Sequence, residues 1–319
     1  MNLDSFFSNA PTVAVLGDLM LDEWIIGSAR RISPEAPVPV VRLENRKTAP
    51  GGAANVVMNL LSLGSIARVG GVVGDDEAGR DLAGELSGAG ADIAALVRDN
   101  SRPTTLKTRV VAQRQQMVRI DRESDEPLAP QIVERLEARF HALLDEVSAI
   151  CLSDYAKGLA NCGAFSQAIE AARERQIIVT GGPKPTNLHC FRGADFLSLN
   201  QKEAEDALGW NFSNAESVER AGQELRARTE AKCLAITRGG AGVAVFREGK
   251  SGTAIPAYEV EVFDVAGAGD TFLSAATFAL AGGADSIEAS RFGNLAAAAS
   301  VRHVGVVAVT RSDMERLLN

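Results

Sequence analysis

Asp264-Val265-Ala266-Gly267-Ala268-Gly269-Asp270-Thr271-Phe272 joins a β-type run over 257–263 to an apolar helical run over 272–281. Two glycines flank one alanine at the mouth of that helix, so the backbone can come close to a ligand. A helix start offers unpaired N–H groups and a partial positive charge, which suit an anion. Asp270 stands where those groups point and sets a carboxylate beside the cradle of Gly267, Ala268 and Gly269. The combination fits transfer of a phosphoryl group to a hydroxyl. The amides stabilise transition-state charge, and Asp270 takes the hydroxyl proton. The same residues also read as a glycine turn with Asp270 as an ordinary first-turn acid.

Outward from this stretch, apolar runs at 12–16, 66–73, 147–152, 177–180, 194–199 and 233–237 read as buried strands. Helical periodicity at 53–63, 75–86, 132–144, 159–175, 215–228 and 287–303 supplies the helices between them. The alternation predicts a three-layer α/β fold with a mostly parallel sheet. A chain of 319 residues, 46% of them hydrophobic, can bury such a core. The net charge of −8 argues against bulk attraction to nucleic acid or an anionic membrane. No apolar run reaches the roughly 18 residues of a membrane span. Residues 1–11 lack the basic-then-apolar pattern of a secretory signal. Cys151, Cys162, Cys190 and Cys233 lack metal-type spacing and read as reduced thiols of a cytoplasmic protein.

Several residues stand out by place and type. The run 12–16 ends in Asp18 and Asp22, and acids just past a strand's carboxyl end are placed to bind ligand in an open sheet. Gly51 and Gly52 open the helix 53–63, whose Asn55 can donate to and accept from hydroxyls. The β-rich segments 24–31 and 38–43 bracket Pro34, Pro37 and Pro39 and interrupt the βα rhythm, as do 103–111 and 116–121. They read as a small β lid, roughly 23–43 and 103–121, inserted in a single domain over 1–319. The lid carries Lys107, Arg109, Arg114 and Arg119, which make either a solvated face or a surface for a phosphorylated sugar. Asn200 with Glu203, and Ser312 with Glu315, have capping-box spacing. Gly239, Gly240 and Gly242 lie between two strands, as in a hairpin.

Asp264-x-x-Gly267-Ala268-Gly269-Asp270 resembles the C-terminal signature of the ribokinase-like (PfkB) carbohydrate kinases. Gly51-Gly52-Ala53-Ala54-Asn55 resembles their N-terminal glycine signature. Residues 31–39 (RISPEAPVP) and 107–116 (KTRVVAQRQQ) resemble the heptose-phosphate kinases of lipopolysaccharide precursor synthesis. The resemblance covers nearly the whole chain. It implies a ribokinase-like fold with a β lid, and phosphoryl transfer from ATP, with Mg2+, to a sugar hydroxyl. Asp270 would be the base and Gly267, Ala268 and Gly269 the anion cradle. Asp18, Asp22, Gly51, Gly52 and Asn55, with Lys107, Arg109 and Arg119, would bind the sugar. Asn200, Gln201, Lys202, Glu203, Thr237, Gly239, Gly242, Asn294 and Lys157 would serve the nucleotide. Glu203 would reach magnesium mostly through water. An activating monovalent cation such as K+ is compatible with this pattern. The implied substrate is D-glycero-β-D-manno-heptose 7-phosphate, phosphorylated at its anomeric hydroxyl.

Two departures stand out. Gly181-Gly182-Pro183-Lys184 occupies the place where relatives often carry Asp-Pro-Lys, and Ala266 stands where a Thr is frequent. A kinase for another sugar, such as ribose or a ketohexose phosphate, stays open, as does a non-catalytic sensor of the same fold. In bifunctional relatives a nucleotidyltransferase domain follows, and the end at Asn319 leads one to expect its absence. Ile25, Ile26, Val38, Val40, Val110 and Val118 would leave an apolar lid face, which predicts a homodimer through the lids.

Overall fold

The strand Thr12–Gly17 (β1) shows how the core is built. Val13 and Val15 point into one apolar cluster, and Ala14 and Leu16 point into another, because successive strand side chains face opposite sides. A strand apolar on both faces belongs between two helical layers. The computed structural model describes residues 3–113 and 115–318, so the expected lid cation Arg114 lies outside the described residues.

β1 is followed by β2 (Leu19–Ile32), β3 (Pro39–Gly52), α1 (Ala53–Ser62), β4 (Ile66–Gly74), α2 (Glu77–Gly88), β5 (Asp92–Asp99), β6 (Thr105–Ala112) and β7 (Gln115–Arg122). Then come α3 (Pro130–Ala142), β8 (Ala149–Ser153), α4 (Ala164–Arg175), β9 (Ile178–Gly182), β10 (Phe196–Asn200), α5 (Gln201–Leu208) and α6 (Ala215–Thr229). The chain closes with β11 (Cys233–Thr237), β12 (Val243–Arg247), β13 (Thr253–Ile255), α7 (Ala268–Ala281), α8 (Ser286–Ser300) and α9 (Arg311–Leu318). The large sheet has the order β13-β12-β11-β10-β9-β8-β1-β4-β5, parallel except where β12 and β13 join. Helices α1, α2, α7 and α8 pack on one face and α3 to α6 on the other. The three-layer α/β expectation therefore holds.

β1 lies between β4 and β8, so the chain winds outward from it in both directions. Connections diverge at the carboxyl ends of β1 and β8, the place where open sheets bind ligands. At that seam a Cβ on Gly17 would lie 2.4 Å from the Ser153 carbonyl oxygen and 2.7 Å from the Ala53 Cβ.

A second sheet, β3-β2-β6-β7, forms the lid. It is larger than expected: β2 starts at Leu19, and β3 runs to Gly52, directly into α1. Other expectations are corrected. Residues 257–263 form no strand, because Pro256 lacks the N–H that would continue the edge ladder after β13. The helix expected at 159–175 starts at Ala164, after turns. The last helix is capped by Thr310 and Asp313, whose hydroxyl–carboxylate bond is 2.6 Å, whereas Glu315 pairs with Arg311. The Asn200–Glu203 capping box is present. Among the described residues no helix is long and apolar enough to cross a membrane.

The Gly17 seam gives a stability prediction. Gly17→Ala has no room and should cost about 1–3 kcal/mol by overpacking. Gly84→Ala, in open space on α2, should gain about 0.5–1 kcal/mol by removing a helical glycine. Thermal unfolding of both variants checks the pair; similar melting temperatures would show that the seam is not tight.

Candidate active site

α7 is entered through Gly267 at its N-cap, which takes a left-handed φ of 76° that favours glycine; an added Cβ would also lie 3.0 Å from the Asn55 amide nitrogen. No side chain caps this helix; the Ala268 N–H bonds the Val265 carbonyl at 3.3 Å, and the amides that follow keep the positive helix end for a ligand. Asp270 lies in that turn. Its Oδ2 accepts from Asn55 Nδ2 at 2.8 Å and its Oδ1 from the Tyr155 hydroxyl at 2.6 Å. Asn55 Oδ1 accepts in turn from Asn59 Nδ2 at 3.1 Å. Burial pushes the Asp270 carboxyl above the usual carboxylate range, against the pull of Tyr155, Asn55 and Lys184. Burial, then the neighbouring Asp270 charge, push the Tyr155 phenol well above its ordinary value.

A cavity of about 200 Å³ opens in front of Asp270, lined by Tyr155, Lys184, Asn200, Glu203 and Thr237 among others. Lys184 Nζ bonds Glu203 Oε1 at 2.6 Å and lies 5.0 Å from the centre of the Tyr155 ring. Glu203 also caps the Asn200 N–H at 2.9 Å. Opposite the turn that lacks the expected Asp, Asp154 at the end of β8 accepts from the Lys184 N–H at 2.8 Å and from Asn187. A carboxylate thus supports this turn from a neighbouring strand. A larger cleft of about 740 Å³ meets the first cavity at Thr237 and Gly269. Gly239, Gly242, Tyr258, Phe272 and Asn294 line it, and its walls are mainly apolar. Asn294 Nδ2 donates to the Pro256 carbonyl at 2.8 Å. Expected nucleotide residues Gln201 and Lys202 do not join these cavities: Gln201 bonds Glu205 and Phe212, and Lys202 bonds Asp206 on the helix surface.

The third group lies between β1 and the lid. Asp18 is 4% exposed; its Oδ2 accepts from the Tyr155 and Lys157 N–H groups at 2.9 and 3.0 Å. Burial raises its pKa to about 6, opposed by those two amides and reinforced by Asp154. Asp18 therefore holds a loop rather than offering a free carboxylate. Asp22 pairs with Arg109 at 2.6 Å, and Arg109 lies 5.3 Å from the Trp24 ring centre. A Cβ on Gly51 would reach Asp22 Oδ2 at 2.5 Å, so that glycine leaves space for the carboxylate. Gly52 pairs with Leu19 beside it. Lys107 bonds Asp121 and Glu123, and Arg119 grips both oxygens of Asp121. Lys157 bonds Glu123 and Asp125, which puts it with the lid and not with the nucleotide cavities. Sequence reasoning missed Tyr155 and Asp154 as site residues. The rule that singled out Asp18 reaches them too, since they follow the carboxyl end of the adjacent strand β8.

Comparison with protein families matches residues 10–312 to the pfkB family carbohydrate kinases. Curated relatives include the bifunctional protein HldE of Helicobacter hepaticus, 42% identical over 307 residues, and that of Geobacter sulfurreducens, 42% identical over 315. These matches take in 96% and 98% of this chain but only 64% of each relative's length. Among solved structures, Arabidopsis thaliana ribokinase complexed with ribose and ATP superposes with a TM-score of 0.75 at 20% identity, over 98% of this chain and 99% of that one. Escherichia coli phosphofructokinase-2 in complex with substrates and products gives 0.79 at 20% identity, over 97% and 98%. The fold is ribokinase-like, and the chain belongs to the pfkB family of carbohydrate kinases.

Proposed function

We propose that the chain transfers the terminal phosphoryl group of ATP to the anomeric hydroxyl of D-glycero-β-D-manno-heptose 7-phosphate. The observation that carries this reading is Asp270: a carboxylate in the first turn of a helix without a side-chain cap, at the edge of a cavity of about 200 Å³. The adenosine would occupy the apolar cleft near Asn294 and Tyr258, with the phosphates running past Thr237 toward the amides of α7. The sugar would lie between Asp22, Gly51, Asn55 and the lid, its hydroxyl against Asp270. Asp270 accepts the proton while the amides and Lys184 stabilise charge on the moving group. Magnesium retains waters and binds with phosphates, so Glu203, reaching it through water, fits as its protein contact. When bound, the ion would neutralise phosphate charge.

Similarity to HldE supports the heptose substrate, and Lys107, Arg109 and Arg119 share the polar lid face, where a sugar phosphate would compete with their present partners Asp121, Glu123 and Asp22. Phosphofructokinase-2 has been solved in complex with potassium, which supports testing K+ as an activator here. We also propose a homodimer through the lids. By strand register Ile25, Val110 and Val118 share one lid face with Ile120, opposite the face of Asp22, Lys107, Arg109 and Arg119. Ile26 falls on the polar face, contrary to the expectation that it joins the apolar one. Val118 and Ile120 are 49% and 55% exposed, an apolar surface that a second lid would cover.

Three tests follow from these assignments. Asp270→Asn should lower turnover at least about a hundredfold with ATP affinity little changed; a folded, ATP-binding variant that keeps more than about a tenth would falsify the base assignment. Among alanine variants of Lys107, Arg109 and Arg119, at least one should lose about ten- to a hundredfold in kcat/KM for phosphorylated sugars selectively. A coupled ADP-release assay over sugars and sugar phosphates reads this, and equal losses for plain sugars would count against a phosphate-binding lid. Light scattering at micromolar concentration should give twice the chain mass; monomer alone would sink the lid dimer.

A further inference from the structure

We infer that Tyr155 is a positioning residue for phosphoryl transfer: its hydroxyl holds the Asp270 carboxylate, and its ring separates that carboxylate from Lys184. The inference rests on the kinase reading of Asp270.

The turn that carries Tyr155 is built for direction. Three successive amides are bound by two buried carboxylates. The Tyr155 and Lys157 N–H groups donate to Asp18 Oδ2, and the Ala156 N–H donates to Asp154 Oδ1 at 2.8 Å. Ala156 takes a left-handed φ of 56°, a conformation that a non-glycine residue keeps only when its surroundings impose it. Asp154 is itself held by Asn187 and by the Lys184 N–H. The product of this arrangement is one side-chain direction, which brings the phenol to 2.6 Å from Asp270 Oδ1. A bond of that length to an ionised acceptor is a strong one.

The ring does a second task. Lys184 Nζ sits 5.0 Å from its centre and bonds Glu203, so cation and base face different parts of one aromatic group. A direct Asp270–Lys184 pair would draw the carboxylate off the acceptor hydroxyl and lower its basicity. Tyr155 supplies a hydrogen bond that favours the ionised carboxylate without adding a charge. The groups facing Asp270 are Tyr155 from the turn after β8, Asn55 on α1, Lys184 after β9, Glu203 on α5 and Cys151 on β8. Of these, Tyr155, Asn55 and Lys184 pull its pKa down, while burial and Glu203 push it up. Loss of the phenol hydroxyl therefore raises the Asp270 pKa, and the acid limb of the kcat–pH profile moves to higher pH.

Two measurements decide the matter. Tyr155→Phe keeps the ring and removes the hydroxyl. Its kcat should fall about ten- to a hundredfold, the loss expected for a hydrogen bond to a charged group, with the acid limb raised and KM for ATP unchanged. Tyr155→Leu, which removes the ring too, should fall further. The second readout needs no turnover. The chain has 2 tyrosines, Tyr155 and Tyr258, so in a Tyr258→Phe background tyrosinate absorbance reports Tyr155 alone. It should ionise well above the ordinary value of about 10, and added Asp270→Asn should bring it down. Ionisation at the ordinary value, unmoved by Asp270→Asn, would overturn the contact. If Asp270→Asn abolishes turnover while Tyr155→Phe keeps wild-type kcat and pH profile, the positioning role falls and the kinase reading stands. If the wild-type protein releases ADP with no sugar or sugar phosphate, the kinase reading falls and takes the catalytic role with it.

Discussion

Asp18 ties three parts of the chain together through its backbone and its carboxylate, and the site hangs on that. Its main-chain N–H donates to the Ser153 carbonyl at 3.1 Å, and its carbonyl accepts from the Ala53 N–H at 3.0 Å. Its carboxylate accepts from the amides of Tyr155 and Lys157. One residue thus ties the end of β8, the start of α1 and the loop that leads to Asp270. Burying a carboxylate is costly unless it is hydrogen-bonded, and this one is fixed by backbone donors that cannot rotate away. Asp154 repeats the arrangement one strand over, bridging the loop to the Lys184 turn.

Around these two acids the elements bring their ends together. Gly17 lets β1 and β8 approach closely, α1 presents Asn55, and α7 presents Asp270 and its amides. Asn59, Asn55, Asp270 and Tyr155 then form a continuous run of hydrogen bonds from the middle of α1 to the turn after β8. Fully partnered buried polar groups of this kind hold a unique geometry, whereas a partly partnered set would be destabilising. The lid differs in character. Its cations Lys107 and Arg119, with Lys157 from the turn after β8, are matched by Asp121, Glu123 and Asp125 in more exposed pairs, which contribute little to stability.

The parts legible beforehand were those written in local pattern. Periodicity located α1, α6 and α7 and the buried strands, because both signals depend on neighbours a few residues away. The glycine–aspartate stretch announced a helix start suited to an anion, and the structure shows that helix uncapped. Local pattern misled at 257–263, where Tyr258, Val260, Val262 and Phe263 suggest a strand; Tyr258, Val260 and Val262 instead line the apolar cleft. It was silent on partner choice. Nothing near Lys157 in sequence says that it bonds Glu123, nor that Gln201 turns to Phe212. Tyr155 meets Asp270 only because two strands end side by side, a fact of topology and not of spacing.

The ribbon of β2 and β3 has a mechanical side. β2 leaves the core one residue after Asp18, and β3 returns to it at Gly52, so both rails of the ribbon are rooted at the same point. The ladder that extends into the lid is the one that pairs Met20 with Gly51 and Asp22 with Ala49. That ladder runs in unbroken register from Leu19 to Ile26 and is irregular between Ile26 and Gly27 and between Ala29 and Arg31, so its inner half is the stiffer part. Any displacement of that inner half would carry Asp22 with it, so the position of the carboxylate and the position of the ribbon's root are set together.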